Sequence, residues 1–296
     1  MRPLRALVIY IVVVFVGGAL MAPWLYWLAQ SFAHPFPHLA ASPFHRFVNR
    51  SLLGLALIGL WPLLKSLGAE SLRDAGLVRP AGQWKRLFGG FALGFASLAM
   101  VVLIVIAAGG RQIDPNVGVH LAKNLFGAAV TAAAVAVLEE ILFRGGIFGG
   151  LRKVFDWRFA LVLSSMIYAI LHFMESAEQK GAVTWLSGLE LFPRMLGGLT
   201  DVREVIPGFF NLTLAGIILG WAYQRTGNLY FSIGLHAGWI FWLNFYHFFT
   251  NPVSGASEWL WGSRKLIDGW LALLALSAAL LIFSKLPLER KREPSI

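Results

Sequence analysis

An all-α, polytopic bundle of transmembrane helices is the fold that this 296-residue sequence predicts, and three observations carry the prediction. The apolar set (AVILMFWYC) makes up 57% of the chain, above the roughly 45–50% of soluble globular domains. Charged residues make up only 14%, against about 25% in such domains, too few to cover a water-facing surface of this size. The apolar residues also gather into runs of about 20, the length a helix needs to cross the hydrocarbon core. A soluble globular domain is excluded.

Eight runs are the expected spans: 7–29, 49–68, 87–109, 124–148, 157–175, 206–224, 228–249 and 268–286. The first follows Arg2 and Arg5 as a signal peptide would, but its apolar stretch is longer than an h-region and reads as an uncleaved anchor. The second is the weakest, because Pro62 and Lys65 interrupt it. Residues 176–205 form the longest hydrophilic connection. Leu186, Leu189, Phe192 and Leu196 recur there at helical spacing, with Pro193 set to kink or end a helix. The expectation is an interfacial helix lying on the bilayer, against the blander reading of an amphipathic connector. Small residues four apart (Gly90/Gly94, Gly145/Gly149, Gly216/Gly220, Gly234/Gly238) mark close helix packing. With no repeat, low-complexity tract or linker, 1–296 reads as a single membrane domain.

A net charge of +10 would suggest nucleic acid in a soluble protein, but here the 25 Lys and Arg sit in short loops, so no nucleic-acid partner is expected. Eight spans put both termini on one side. Sixteen of the 25 bases fall there and nine opposite, which makes both termini cytoplasmic by the positive-inside rule. Short loops and no targeting peptide point to a bacterial inner membrane. Zero cysteines exclude disulfides, Cys-ligated zinc, iron–sulfur clusters and a thiol nucleophile. Neither GxxxxGK nor GxGxxG is present.

The informative residues are ionisable groups inside the apolar runs, each costing about 2.5–3.5 kcal/mol at a span centre on insertion scales. The fourth run carries Glu139, Glu140 and Arg144. At about 100° per residue, Glu140 and Arg144 share a face in the favourable acid-before-base order, whereas Glu139 lies about 140° from Arg144. Glu140 therefore has an ion-pair partner in its own helix. Glu139 must look to another helix, to water or to a proton, which suits a general base or acid. Candidate partners follow: Tyr168 and His172 one turn apart in the fifth run, then His236, Asn244 and His247 in the seventh. Gly234 and Gly238 flank His236 and leave space for a neighbouring backbone or a substrate chain. For Glu140 and Arg144 a purely structural ion pair is a sufficient explanation. His247 reads as an interfacial residue; His34, His38, His45 and His120 read as solvated loop residues.

EEILFRGGIFGGLRK, then YAILHF, then LAGIILGWAYQRTGNLYFSIGLHAGW resemble the CPBP family of intramembrane proteases, which includes the CAAX prenyl endopeptidase and bacterial Abi proteins. The family's signatures are EExxxR, FxxxH and HxxxN, each on its own transmembrane helix. The first is intact as Glu139, Glu140 and Arg144; the second appears as Tyr168 and His172, with Tyr in place of Phe. The resemblance covers about 120–250. It implies glutamate-dependent proteolysis of a membrane-associated peptide or protein, with Glu139 the base activating water together with His172. Glu140 would pair with Arg144, and His236 would help hold the oxyanion. The third signature departs: position 240 is Ile240, and either Asn244, a turn further on, takes over that donor or the site lacks it. Loss of one such donor typically costs about 10²–10³ in rate.

The family has been described as metal-dependent, and two Glu with two His are zinc-type ligands. Metal-free water activation is favoured, because the ion pair claims Glu140 and no HExxH is present. Two rivals stand beside the protease. One is a catalytically impaired member acting as a membrane scaffold or bacteriocin self-immunity factor, which Ile240 favours. The other is a proton-coupled carrier, against which no inverted repeat or paired broken helices are seen.

Overall fold

A computed structural model of the chain describes residues 2–174, 177–179, 181–200, 202–263 and 266–288. It is 74% helical with almost no strand. The main helices are α1 Arg2–Ser31, α2 Phe44–Ser66, α3 Trp84–Ala107, α4 Leu121–Leu151, α5 Trp157–His172, α6 Ser187–Met195, α7 Val202–Thr226, α8 Tyr230–Phe249 and α9 Trp270–Lys285. Two short strands, β1 Arg111–Ile113 and β2 Thr250–Pro252, pair antiparallel with Arg111 opposite Pro252 and Ile113 opposite Thr250.

All eight apolar runs are helical, but they are not equivalent. Five helices, α1, α2, α3, α4 and α7, are long and apolar enough to cross a membrane. Helices α5 and α9 are apolar with 16 residues each, short of the roughly 20 that a span takes. Helix α8 has 20 residues, but its two His, Asn and interleaved Tyr and Trp keep it out of the apolar set. The eight expected spans thus become five candidates with three shorter or more polar helices beside them.

The prolines do not break the helices as expected. Helix α2 runs unbroken through Pro62, which shares an exposed face with Lys65, while Leu60, Leu63 and Leu64 point inward. Two helices widen locally into π-helix, α1 at Val13–Gly17 and α4 at Ile141–Phe148.

The chain falls into two compact units, the first made of 1–69 with 171–201 and the second of 70–170 with the chain from 202 on. In the first, Ala22, Ala29, Phe44, Phe47 and Val48 enclose Leu191 and Met195 of α6. A Cβ on Gly188 would run into the carbonyl of Ala19, so α6 lies directly on the backbone of α1. This close approach selects Ser187, Gly188, Leu191 and Met195 as the buried face. The leucine stripe expected to face the bilayer is rotated from that face: Leu186, Leu189 and Phe192 are half-buried, and Leu196 lies beyond the helix end, exposed. Glu175, Ser176, Lys180 and Asp201 of the same connection, Glu175 also ending the fifth run, lie outside the described residues.

In the second unit α8 is the central helix, with α3 on one side and α4 on another. Cβ atoms built on Gly90 and Gly94 of α3 would strike the carbonyls of Phe231 and Leu235; on Gly234 and Gly238 of α8 they would strike the backbone of Leu87, Phe91 and Phe95. The two backbones are therefore in contact along two turns, as small-residue seams allow. Gly216 similarly meets Ser165, and Gly145 meets Ala75; Gly149 makes only ordinary contact. Since Gly234 and Gly238 lie about 160–200° round the helix from His236, the seam against α3 turns His236 the other way. The space beside the glycines is filled by α3, not held open for a substrate.

Candidate active site

The site is built where α4 changes its winding. Glu139 and Glu140 end its α-helical part, and the next eight residues, Arg144 among them, form the π segment. Such segments occur frequently at functional sites. Glu140 is fully buried and Arg144 nearly so, with Arg144 Nη1 2.8 Å from Glu140 Oε1. The ion pair predicted by the i, i+4 spacing therefore forms. It has a third member that no local spacing announced: His236 Nδ1 is 2.9 Å from the same Glu140 oxygen. Arg144 also reaches the Gly216 carbonyl at 3.5 Å, and its guanidinium lies 4.9 Å from the Tyr168 ring centre.

The Glu140 contact sets the role of one ring nitrogen of His236. A carboxylate ion-paired to arginine is an acceptor only, so His236 Nδ1 carries a hydrogen and donates it to Glu140. In neutral His236, Nε2 is then an acceptor. The Tyr168 hydroxyl lies 3.2 Å from Nε2, and its single hydrogen goes either to this nitrogen or to Glu139. Tyr168 is also hydrogen-bonded to Glu139, and its ring meets Phe143 edge-on at 4.9 Å between centres. Glu139 Oε2 lies 3.8 Å from His236 Nε2. Its side chain is 27% exposed, against 0% for Glu140. The two adjacent glutamates thus differ in kind: one is locked in a buried network, the other stands at its open edge.

The second unit in this way gathers Glu139, Glu140, Arg144, Tyr168 and His236. His172 ends α5, one turn beyond Tyr168, with an exposed side chain, and belongs to the first unit. Asn244 is half-buried, and its Nδ2 donates to the Ile240 carbonyl at 2.9 Å. Its amide is folded back onto its own helix, because a side chain two turns from His236 finds its nearest acceptor one turn earlier. Ile240 is itself buried. His247 is exposed at the end of α8 against Phe248. His34, His38 and His120 are exposed and His45 is half-buried. Among the described residues no group of three or more His, Asp or Glu side chains is arranged to hold a metal ion.

One residue escaped the sequence reading. Asn211 on α7 is fully buried and donates to the carbonyls of Ile267 at 2.7 Å and Gly269 at 2.9 Å, tying α7 to the turn before α9. With Tyr168, His236 and Trp239 it lines a cavity of about 30 Å³, room for a water molecule. The signal was present, since an Asn inside the apolar run GFFNLTLAGIILGW is costly in lipid without partners.

A carboxylate at the open edge, an oriented imidazole behind it and a hydroxyl between them can take a proton from water and stabilise charge on an attacked carbonyl. A search of curated proteins and a search of solved structures each returned no match. Residues 121–242, from the start of α4 into α8, match the family model for type II CAAX prenyl endopeptidase Rce1-like proteins, and it is this protease family, within CPBP, that the chain resembles through the segment holding the cluster.

Proposed function

We propose that the protein is an intramembrane endopeptidase that hydrolyses a peptide bond of a membrane-associated peptide or protein by glutamate-activated water. The observation that carries this is the contrast between the paired glutamates: Glu140 is buried and committed to Arg144 and His236, while Glu139 is partly exposed beside them. Glu139 takes a proton from water as the oxygen attacks the scissile carbonyl. The C–N bond then breaks, and the proton passes from Glu139 to the leaving amine. His172 shares the activation of water, as the family resemblance implies. His236 is held by Glu140 and Arg144 at the carbonyl-oxygen side.

The reading takes no metal. Water activation without a metal is taken because the ion pair claims Glu140 and no HExxH is present. The chain is placed in a membrane as a multi-pass protein, in keeping with its apolar helices; both termini are cytoplasmic if all eight apolar runs cross, as the distribution of its bases suggests. The similarity to prenyl endopeptidases makes a peptide with a prenylated CAAX end the first substrate to test. The purified protein in lipid nanodiscs is expected to cleave such a peptide, and Glu139→Gln to abolish cleavage with the unfolding midpoint unchanged. Turnover retained by Glu139→Gln would remove Glu139 from the mechanism. Ile240 favours a second reading, a family member that has lost catalysis and serves as a membrane scaffold or self-immunity factor; that reading expects no cleavage by either protein.

A further inference from the structure

The Tyr168 hydroxyl is the one polar group of the cluster that the proposed mechanism leaves unused. It sits 3.2 Å from His236 Nε2 and within hydrogen-bond reach of Glu139, so it stands between the base and the imidazole with one hydrogen that turns between these two acceptors. Because Glu140 holds the hydrogen on Nδ1, neutral His236 presents only a lone pair at Nε2 and has nothing to donate to an oxyanion there. Tyr168 O–H is the donor at that edge. The Arg144 cation over its ring, 4.9 Å from the centre, draws electron density from the phenol and strengthens the O–H as a donor. Phe143 and Arg144 hold the ring from two sides, so the hydroxyl can turn while the ring stays in place.

Position 240, one turn beyond His236 on nearly the same face, is a buried isoleucine. The nearby Asn244 amide donates to the Ile240 carbonyl. Measured against FxxxH and HxxxN, the chain has gained a hydroxyl at 168 and lost an amide at 240. We propose that the two departures compensate: Tyr168 is the catalytic hydrogen-bond donor to the substrate carbonyl oxygen, in place of the amide that Ile240 lacks.

The inference rests on the endopeptidase reading. As the water oxygen bonds to the carbonyl carbon and its proton goes to Glu139, the carbonyl π pair moves onto oxygen. The Tyr168 O–H turns about its C–O bond from Nε2 to that oxygen. When the C–N bond breaks, the pair returns to form the carbonyl, Glu139 gives its proton to the amine and the hydroxyl turns back. Tyr168 keeps its proton throughout.

The test uses the full-length protein in nanodiscs and a farnesylated CAAX peptide, with kcat and KM measured separately. Tyr168→Phe is expected to lower kcat by about 10²–10³, the effect of one lost oxyanion donor, with KM unchanged. Adding Ile240→Asn is expected to restore kcat to within about tenfold of wild type. Ile240→Asn alone, which leaves Tyr168 in place, is expected to change kcat by less than about threefold, because the role is filled. Glu139-dependent cleavage that survives Tyr168→Phe, or a double variant no faster than Tyr168→Phe, overturns the inference and leaves the endopeptidase reading standing. A gain of about 10² from Ile240→Asn alone overturns it too, and does so even if Tyr168→Phe fails to fold. Absence of Glu139-dependent cleavage by the wild type overturns the endopeptidase reading, and the inference with it.

Discussion

Replacing Arg144 with Ala tests the physical core of the site. Glu140 has no exposed surface, and one of its oxygens faces Arg144 at 2.8 Å and His236 at 2.9 Å. Arg144→Ala removes the cation and leaves a buried carboxylate with only neutral partners, the His236 N–H and the Ser232 hydroxyl. Breaking a buried pair from one side costs about 3–5 kcal/mol, which is roughly 10²–10³·⁵ in the folded-to-unfolded ratio. A smaller contribution is lost from the guanidinium over Tyr168. Unfolding in mixed micelles titrated with SDS, followed by the fluorescence of the 12 tryptophans, reads the change directly. The double variant Arg144→Met with Glu140→Gln keeps an acceptor for His236 Nδ1 and leaves no unpaired charge, so it should lie closer to wild type than Arg144→Ala does. If Arg144→Ala unfolds within about 0.5 kcal/mol of wild type, or the double variant is no better than the single, the buried network is not what holds this helix.

Other outcomes follow from the packing. Gly94→Ala drives a Cβ onto the Leu235 carbonyl and should destabilise by about 1–3 kcal/mol or more; Gly127→Ala, on the same micelle assay, meets nothing within 4 Å and should be neutral or slightly stabilising. Arg225 donates to the carbonyls of Phe283 and Leu286 at 2.8 and 2.7 Å, capping the end of α9. Arg225→Ala should cost about 1–3 kcal/mol and be read as faster amide exchange in the last turn of that helix. In the loop between α2 and α3, the amides of Ser71 and Glu70 donate to Asp74 and hold its carboxyl below the usual range. A depressed folded pKa means that the turn's stabilisation is full above the unfolded carboxylate pKa and is lost as pH falls through the lowered folded value. Slowed exchange of these two amides should therefore persist at neutral pH and fade only in acid, whereas Asp74→Ala, which leaves no acceptor, should abolish it at all pH values.

What could be read from the sequence was what lies within one helix or follows from composition. The Glu140–Arg144 pair is four residues apart, so helical geometry alone places it. The glycine pairs at i, i+4 likewise announce a seam, and three of the four make one. The partner of that seam, and hence the direction His236 faces, depends on α3 meeting α8 some 140 residues along the chain, which no periodicity encodes. The same holds for the His236–Glu140 contact. The helix near Pro193 forms as its leucine spacing predicts, but its buried face is set by the approach of Gly188 to Ala19, which leaves the leucine stripe half-buried. Of the two alternatives for Asn244, a donor at the site or none, spacing cannot choose, because the acceptor its amide meets is the Ile240 carbonyl of its own helix. The π segment had no signal beyond Gly145 and Gly146, which tolerate many conformations.

The most direct test that this is a protease working through Glu139 compares membrane proteomes of cells carrying wild type or Glu139→Gln at equal expression, reading new peptide termini. Termini present only with wild type are the predicted result, and they name the substrate at the same time. Identical termini from both would contradict glutamate-dependent proteolysis and make the buried Ile240 the mark of a chain that keeps the fold without the chemistry.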